Sequence, residues 1–244
     1  MKHIKLDAIS STNDFLKQLL SQQHVENFTV ISARVQTSGK GQMGAVWQAE
    51  KGKNITMTLL VKDLLTQTEQ IFYLNKAVAL GIISCLKNLP LKQLSIKWPN
   101  DIMSGHKKIG GILIENIIKS NGEIFSVIGI GLNVNQHDFT GLPQASSLHN
   151  LTGSSYDVDQ LMRDIVGEIK LKVSQLRTHQ YTEIDEAYHT HLFKMNVPMP
   201  FETIEGERFM GIIQRVDEQG KLCLMDEQDE LRSFSLKEIK LLYH

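Results

Sequence analysis

Apolar residues recur at strand and helix spacings through the first third of the chain and predict five elements there. Ser11 precedes an apolar stripe that includes Leu16 and Leu19, and Asp14 follows three residues after Ser11, which indicates the start of a helix. The predicted elements are a strand over 3–9, the helix that begins at Ser11, strands over 28–34 and 54–61, and the clearest helix of the chain over 69–89.

Four strand-like runs with short connections occupy the middle of the chain. Turn residues at Ser104-Gly105 and at 120–122 separate three of them, and such short connections favour antiparallel hairpins over helical crossovers. Helical spacing returns in two segments after these runs. The strands cover 94–98, 102–104, 108–118 and 123–135, and the helices cover 157–177 and 180–193.

The pattern changes again at Asn196, and the residues that follow alternate as short strands. Turn-forming residues at 217–220 and 226–229 join these strands. This arrangement is typical of a small β-barrel appended to a larger domain. The sequence therefore predicts an α+β protein with two domains, residues 1–194 and residues 195–244.

Charge and composition exclude several classes of protein. The chain has 244 residues, and its 26 basic and 27 acidic residues give a net charge of −1. We therefore expect no DNA partner and no membrane partner, and any basic site must be local. The chain has no signal segment and no run of roughly 18 to 20 apolar residues, which predicts a cytoplasmic protein. Cys85 and Cys223 lie in apolar segments without metal-ligand spacing, so we expect buried thiols.

A glycine-punctuated segment over 36–53 lacks periodicity and predicts a long functional loop. The residues from Gly39 to Gly44 match the spacing GxGxxG. A dinucleotide site of that type needs a helix directly after the glycines, and here a predicted strand follows, so we reject a Rossmann fold. A glycine-rich loop with Lys40 can still wrap a phosphate through backbone N–H groups. A plain surface connection is the alternative.

Two neighbouring segments carry residues that could meet a small molecule. Lys97 points away from the strand face shared by Ile96 and Trp98, and its ammonium could reach a ligand on that side. The alternative is a solvent-exposed lysine followed by a Pro-Asn-Asp turn. Gly110 and Gly111 interrupt an apolar strand, and glycines in a strand often mark the close approach of another molecule.

The strand over 127–134 has one apolar face and one bare face. Its period of two places Gly129, Gly131 and Asn133 together, opposite Leu132 and the isoleucines. Paired with the strand of the two adjacent glycines, the bare face would form a flat shelf for a small molecule. Packing against a bulky helix is the alternative. Motifs for a covalent acyl-enzyme or a metal hydrolase are absent from the sequence.

Taken in order, these segments resemble the motif set of the biotin protein ligases. The set comprises Ser11-Thr12-Asn13, the loop from Gln36 to Trp47, Lys97-Trp98-Pro99-Asn100-Asp101, Lys108 to Gly111, and Gly129 to Asn133. The resemblance covers nearly the whole chain. It implies a mixed sheet with helices, like that of class II aminoacyl-tRNA synthetases, and a small SH3-like C-terminal β-barrel. Because the sequence begins directly at the predicted catalytic domain, we expect the type of ligase that lacks an N-terminal helix-turn-helix domain.

The resemblance implies an activity and a set of site residues. The enzyme would activate biotin with ATP and Mg²⁺ as biotinyl-5′-AMP, and would then transfer biotin to a lysine of a biotin carboxyl carrier domain. Lys108, Lys97 and Asp101 would be catalytic, with Asp101 also linked to the metal. The biotin-binding residues would be Ser11, Thr12, Gln36, Gly39, Lys108, Gly111, Leu113, Gly129 and Gly131. The residues for ATP and the adenylate would be Lys40, Gln42, Trp47, Lys97, Asn100, Asn133 and Glu238.

Several alternatives stay open at this point. Many such ligases carry an arginine-rich loop of the type GRGRxGR, whereas here Lys40 is the one cation between Gly39 and Ala45, so phosphate contacts must weaken or come from elsewhere. A lipoate ligase or octanoyltransferase would share the fold, and a catalytically silent biotin-binding module is a rival from another class. Lys97 and Lys108 favour the enzyme, since a pure binder needs no phosphate-facing lysines. A sheet edge could serve a homodimer or the docking of the carrier.

Overall fold

A seven-stranded mixed sheet forms the larger part of the molecule. The computed structural model describes residues 2–65 and 70–243. The strands are β1 His3–Ile9, β2 Val30–Gln36, β3 Ile55–Val61, β4 Leu94–Lys97, β5 Asp101–Ser104, β6 Lys107–Ile118 and β7 Ile124–Leu132. They lie in the order β1-β2-β3-β7-β6-β5-β4, in which β1 and β2 run parallel and the other neighbours are antiparallel.

Helices cover the two faces of this sheet unequally. They are α1 Thr12–Gln22, α2 Ile71–Leu86, α3 Leu148–Thr152, α4 Val158–Arg177 and α5 Tyr181–Thr190. One face packs against α2 and α4 in the main core, where a Cβ on Gly81 would lie 2.9 Å from Ile169 Cα, so this approach of two helices requires glycine. On the other face, Leu16 of α1 packs with Ile31 and Leu60 in a smaller cluster. Because α1 contacts β2, β3 and β7, the rest of that face is left for a cavity.

Five antiparallel strands form a second sheet at the C-terminal end. They are β8 Pro198–Thr203, β9 Arg208–Val216, β10 Leu222–Asp226, β11 Leu231–Phe234 and β12 Ile239–Leu241, in the spatial order β11-β10-β9-β8-β12. Phe209 stacks between Phe201 and Phe234, with ring centroids 6.0 Å apart on each side. These rings belong to the same core cluster as the main sheet, so the second sheet is packed firmly onto the first part of the chain.

Polar contacts also join the two sheets. Trp98 Nε1 donates to the Gly220 carbonyl at 2.9 Å. Lys76 of α2 is fully buried, and its ammonium lies 2.5 Å from Asp185 of α5 and 3.3 Å from the Val216 carbonyl of β9. Because a buried ammonium needs such partners, these contacts fix the position of β9 against the helices.

The predicted α+β class and the antiparallel hairpins are confirmed. The helix predicted over 69–89 is found at Ile71–Leu86, and Glu69 lies outside the described residues. A strand follows the glycine-rich loop, as the rejection of a Rossmann fold requires. The sequence interpretation missed the short helix α3, which Ser147 caps at its N-terminus. The domain boundary between residues 194 and 195 stays a prediction.

The structure also describes the two cysteines that the sequence predicted to be buried thiols. Cys85 and Cys223 are both free, and Cys223 is buried whereas Cys85 is partly buried. In residues 2–65 and 70–243, no group of three or more His, Cys, Asp or Glu side chains could hold a metal ion. Within the same ranges, no helix combines the length and apolar character needed to cross a membrane.

Candidate active site

A cavity of about 540 Å³ lies on the open face of the main sheet, beside α1. The loop after β2 covers it, and the C-terminal sheet closes another side. Its lining comes from the start of α1, the loop from Lys40 to Trp47, strands β4 to β7, and the segment around β12. We call this space the main cavity.

The register of four strands builds the floor of the main cavity. Gly131 of β7 stands opposite Gly111 of β6, Gly111 opposite Asp101 of β5, and Asp101 opposite Lys97 of β4. Because directly opposed residues point to the same face of a sheet, these four residues form one row. The floor is therefore flat at the two glycines and charged at its other end.

A strand irregularity brings Lys108 to the same row. The pairing of β5 with β6 shifts between Ile102 and Met103, so that Ile109 has no partner in β5. Lys108 and Gly111 are three residues apart and would face opposite sides of a regular strand. The extra residue re-aims the side chain, as bulges do. Lys108 Nζ consequently lies 2.6 Å from Asp101 Oδ1.

Positive charge is concentrated in the main cavity, although the whole chain is nearly neutral. Its lining contains the side chains of Lys40, Lys97, Lys108, Lys237 and Lys240, and Asp101 is the one acidic lining residue among those described. Asp101 holds two of these lysines together, since its second oxygen lies 3.5 Å from Lys97 Nζ. The cavity therefore suits a ligand that carries several negative charges.

A cluster of hydroxyl and amide groups forms the polar end of the main cavity, near α1. Gln36 Oε1 accepts hydrogen bonds from the Thr12 backbone N–H at 2.8 Å and from the Thr12 hydroxyl at 3.0 Å. Thr58 Oγ1 lies 2.6 Å from Asn13 Oδ1, and Asn13 Nδ2 donates to Glu115 at 2.8 Å. A Cβ on Gly129 would lie only 2.7 Å from Asn13 Oδ1, so the bare strand face is covered here by an amide.

The loop from Gly39 to Trp47 is folded as a tight hairpin over the main cavity. The Trp47 N–H donates to the Gly39 carbonyl at 2.9 Å, and the Gly41 N–H donates to the Ala45 carbonyl at 2.7 Å. At its tip, Met43 adopts the left-handed conformation with φ of 61°. The backbone hydrogen bonds thus define a specific shape for a segment that the sequence predicted only as a loop.

Lys40 is tied to the first turn of α1. Its ammonium lies 2.7 Å from Asp14 Oδ2, and Lys17 Nζ lies 2.9 Å from the other oxygen. The hydrogen bond from Lys40, supported by that from Lys17, lowers the pKa of Asp14 below its usual value. The Ser11 hydroxyl accepts from the Asp14 N–H at 3.4 Å, so Ser11 caps the helix at the edge of the main cavity.

The Trp47 indole rests on the glycine floor. An added Cβ on Gly131 would overlap the ring, and an added Cβ on Gly111 would lie 3.7 Å from it. Trp47 Nε1 is buried and has no hydrogen-bond partner among the described residues. A buried donor without a partner is uncommon, and a ligand in the main cavity would be one source of an acceptor.

Most of the residues that the resemblance implied are brought together. Those that line the main cavity are Ser11, Thr12, Gln36, Lys40, Gln42, Trp47, Lys97, Asn100, Asp101, Lys108, Gly111, Leu113, Gly129 and Gly131. Three others do not line it. Gly39 is buried against the Trp47 backbone and Gln36, and Asn133 donates its side-chain amide to the Ser146 carbonyl at 3.0 Å. The exposed Glu238 accepts the Ser235 N–H at 2.7 Å and so closes the turn before β12.

Sequence reasoning missed several side chains of the site. Thr58 alternates with apolar neighbours along β3, and that period of two could have placed it beside α1. Asn13 belonged to a recognised motif but had no predicted role. Lys237 and Lys240 gave no local signal, because only the packing of the second sheet brings them to the main cavity.

Comparisons with known proteins agree with this arrangement. The family described as "Biotin/lipoate A/B protein ligase family" matches residues 6–135. The "Bifunctional ligase/repressor BirA" of Bacillus spizizenii is 30% identical over 241 residues, which cover 96% of this chain and 72% of that protein. The "Biotin--[acetyl-CoA-carboxylase] ligase" of Mycobacterium tuberculosis is 26% identical over 90% of this chain and 83% of that protein.

Solved structures show the same fold. The biotin protein ligase from Aquifex aeolicus, in complex with biotin and ATP, superposes with a TM-score of 0.80 at 21% sequence identity. The match covers 100% of this chain and 99% of that one. The biotin protein ligase from Leishmania major in complex with biotinyl-5-AMP gives a TM-score of 0.64 at 22% identity over 96% of this chain and 98% of that one.

Proposed function

The chain belongs to the biotin/lipoate A/B protein ligase family, and we propose that it is a biotin protein ligase. It activates biotin with ATP as biotinyl-5′-AMP and transfers the biotinyl group to the acceptor lysine of a biotin carboxyl carrier domain. The observation that carries this proposal is the row Gly131, Gly111, Asp101 and Lys97, which joins a flat apolar floor to a group of lysines.

The polar end of the main cavity favours biotin over lipoate. The ureido ring of biotin presents a carbonyl oxygen and two N–H groups, whereas the dithiolane ring of lipoate offers neither. The hydroxyl and amide groups of Thr12, Asn13 and Gln36 line the main cavity and can donate to the oxygen and accept from the N–H groups. A site built for such hydrogen bonds would leave buried polar groups unpaired against a dithiolane.

The lysines suit the first chemical step. A carboxylate oxygen of biotin attacks the α-phosphorus of ATP and forms the mixed anhydride. The bond from the α-phosphorus to the bridging oxygen breaks, and its electron pair leaves with pyrophosphate. Two anions approach each other in this step, so Lys108 and Lys97 lower its barrier by stabilising the negative charge that builds up. Asp101 holds both ammonium groups at the charged end of the row.

The residues of the main cavity do not fit a resident metal ion. Asp101 is the one carboxylate that lines it among the described residues, and both its oxygens face ammonium groups. The resemblance implied that Asp101 contacts the metal. We propose instead that Asp101 positions the two lysines. Mg²⁺ enters as part of its complex with ATP, held mainly by phosphate oxygens, and is written here as substrate.

The second step needs no nucleophile from this chain. The neutral amine of the carrier lysine attacks the biotinyl carbonyl carbon and gives up a proton to water as the amide forms. The C–O bond to phosphate breaks, and its electron pair leaves with AMP. The hairpin from Gly39 to Trp47 covers the main cavity and would shield the mixed anhydride from water until the carrier arrives. We infer that the activity belongs to the cytoplasm, where ATP is supplied and where free thiols such as those of Cys85 and Cys223 stay reduced.

The proposed function is tested by supplying a carrier domain with biotin and Mg-ATP and weighing it by mass spectrometry. We expect one biotinyl group per carrier, and none on a carrier whose acceptor lysine is replaced by arginine. Lipoate in place of biotin should give no product. Transfer of lipoate and not biotin would reassign the chain to the other branch of the family, and a carrier left unmodified by both would refute a ligase.

A further inference from the structure

Glu115 of β6 lies behind the polar end of the main cavity, in a chain of hydrogen bonds that reaches the cavity wall. Its Oε2 accepts from Asn13 Nδ2 at 2.8 Å, and its Oε1 lies 2.9 Å from Lys17 Nζ. Asn13 and Thr12 line the main cavity, whereas Glu115 and Thr58 do not. We call Glu115, Asn13, Thr58 and Thr12 the polar chain. It links a carboxylate outside the cavity to a hydroxyl inside it.

The carboxylate of Glu115 determines the orientation of the Asn13 amide. A carboxylate paired with an ammonium only accepts hydrogen bonds, so the Asn13 amide must turn its N–H group toward Glu115. Asn13 Oδ1 consequently faces Thr58 Oγ1, which is 2.6 Å away. Because Oδ1 carries no proton, Thr58 donates to it, and this bond uses the one hydroxyl proton of Thr58.

The same reasoning determines what the Thr12 hydroxyl can offer to a ligand. Thr58 Oγ1 and Gln36 Oε1 lie 2.7 Å and 3.0 Å from Thr12 Oγ1. Thr58 has no proton left to donate, and Gln36 Oε1 is an acceptor because it also receives the Thr12 backbone N–H. Both neighbours can therefore only accept from the single hydroxyl proton of Thr12. The lone pairs of Thr12 are left for the main cavity, so Thr12 presents an acceptor there and not a donor.

Burial makes this direction of the hydrogen bonds costly to reverse. Thr12, Asn13 and Thr58 are all buried, where a made hydrogen bond is strong and an unmade one is expensive. Reversal would point the Asn13 oxygen at the Glu115 carboxylate, and two acceptors would then face each other without a proton between them. The direction of the polar chain is therefore set before a ligand enters.

We propose that Glu115 is a positioning residue for substrate selection, which acts through the polar chain and commits the Thr12 hydroxyl to accept a hydrogen bond from a ureido N–H group. This inference rests on the proposed function. A ligand with an oxygen in place of that N–H would place lone pairs opposite lone pairs. A site built for a hydrogen bond discriminates strongly against an analogue that lacks it. Glu115 thus influences the choice of substrate without contacting the substrate.

The test is calorimetric titration of the whole chain with biotin and with its two cyclic-carbamate analogues, in each of which an oxygen replaces one ureido N–H. Glu115→Gln keeps the size of the side chain, but its amide can donate as well as accept, so Asn13 can turn over. Thr58 is then free to donate to Thr12. We expect Glu115→Gln to bind biotin about tenfold more weakly, the scale of one hydrogen bond. The analogue that wild type rejects more strongly should bind no more weakly to Glu115→Gln than to wild type.

Two further variants separate the polar chain from other effects of Glu115. Lys17→Met removes the ion pair and leaves the carboxylate to accept from Asn13. Its biotin affinity should stay within about twofold of wild type, since partly exposed ion pairs contribute little. Thr58→Val cuts the polar chain with a side chain of similar shape. In that background Glu115→Gln should lose most of its effect on biotin affinity, as expected when two changes interrupt one network.

Equal biotin affinity in wild type and Glu115→Gln would overturn the inference. An equal loss for biotin and for the rejected analogue would do the same, because it indicates general damage to the site, as would an equal loss in Lys17→Met or an undiminished effect of Glu115→Gln in the Thr58→Val background. A failure of the proposed function is distinguishable, since these titrations contain neither ATP nor a carrier. The binding pattern would then hold while no biotinyl group reaches the carrier, whereas a wild type that binds no biotin would overturn both.

Discussion

The indole of Trp47 lies directly on Gly131, in the place that a side chain at residue 131 would occupy. The contact joins the loop after β2 to the floor of the main cavity. A glycine at this point of β7 weakens the strand, which is the cost of letting the ring approach the backbone. The position of the loop over the cavity thus depends on the absence of a side chain at residue 131.

We predict that Gly131→Ala displaces the Trp47 ring and lowers the free energy of unfolding by about 1 to 3 kcal/mol, the usual cost of overpacking. Biotin should bind more weakly, because the displaced ring no longer covers it. Denaturant unfolding and calorimetry measure the two effects. Gly167→Ala is the matched control: an added Cβ meets nothing within 4 Å on α4, and this change should stabilise the protein by up to about 1 kcal/mol. Identical behaviour of the two variants would show that Trp47 does not depend on Gly131.

The second prediction concerns Gln42, which lines the main cavity at a loop position where many such ligases carry arginine. A neutral amide lacks the charge-assisted hydrogen bonds that are roughly twice as strong as neutral ones. Gln42→Arg should therefore slow the dissociation of biotinyl-adenylate by about 1 to 2 kcal/mol in activation free energy. Stopped-flow dissociation measures this, with the exposed Gln48→Arg as control for added charge. An unchanged or faster rate in Gln42→Arg would mean that lysines elsewhere already retain the adenylate.

The third prediction separates two roles of Asp101. As a positioning residue for Lys97 and Lys108, it should support turnover without setting the requirement for Mg²⁺. We expect Asp101→Asn to lower kcat at least about tenfold, since two transition-state partners lose their alignment. The Mg²⁺ concentration for half-maximal rate should change less than about twofold, because phosphates dominate its coordination. A large rise in that concentration would instead make Asp101 a metal ligand.

The fourth prediction concerns the reactivity of Cys85 as a function of pH. Burial, with smaller effects of Asp164 and Glu168, raises the pKa of this thiol to about 11. Since the thiolate is the nucleophile, the folded protein should resist iodoacetamide at Cys85 from pH 7 to 9 and react as the pH approaches 11. Peptide mapping after timed alkylation measures this. Rapid modification at pH 7 without loss of structure would contradict the burial that raises the pKa.

Local signals in the sequence were sufficient for the elements and for one face of the site. Ser11 and Asp14 marked the start of α1, which the cap at Ser11 confirms. The period of two along β7 placed Ile128 and Ile130 in the core and the glycines on the other face, as the structure has them. Such patterns depend only on the geometry of one helix or strand, so a single sequence carries them.

Contacts that depend on register or on packing of distant segments could not be predicted. Lys108 reaches Asp101 only because β6 contains an extra residue, and a regular strand would have turned it away. Lys240 joins the main cavity through the docking of the second sheet. The resemblance implied a role at the nucleotide for Asn133, and no feature of the sequence indicated that its side-chain amide would donate to the Ser146 carbonyl of a neighbouring segment.

The central claim is that Lys108 stabilises the transition state in which biotin is joined to the α-phosphate of ATP. Its most direct test is biotin-dependent release of pyrophosphate from ATP, measured for wild type, Lys108→Ala and Lys107→Ala. Lys107 is the matched control, because it is the exposed neighbour on β6 and its ammonium donates to the Pro143 carbonyl outside the main cavity. We predict that Lys108→Ala loses at least about a hundredfold in rate, the scale of one preorganised electrostatic partner, and loses less in biotin affinity. Lys107→Ala should match wild type, whereas near-normal pyrophosphate release by Lys108→Ala would contradict the account.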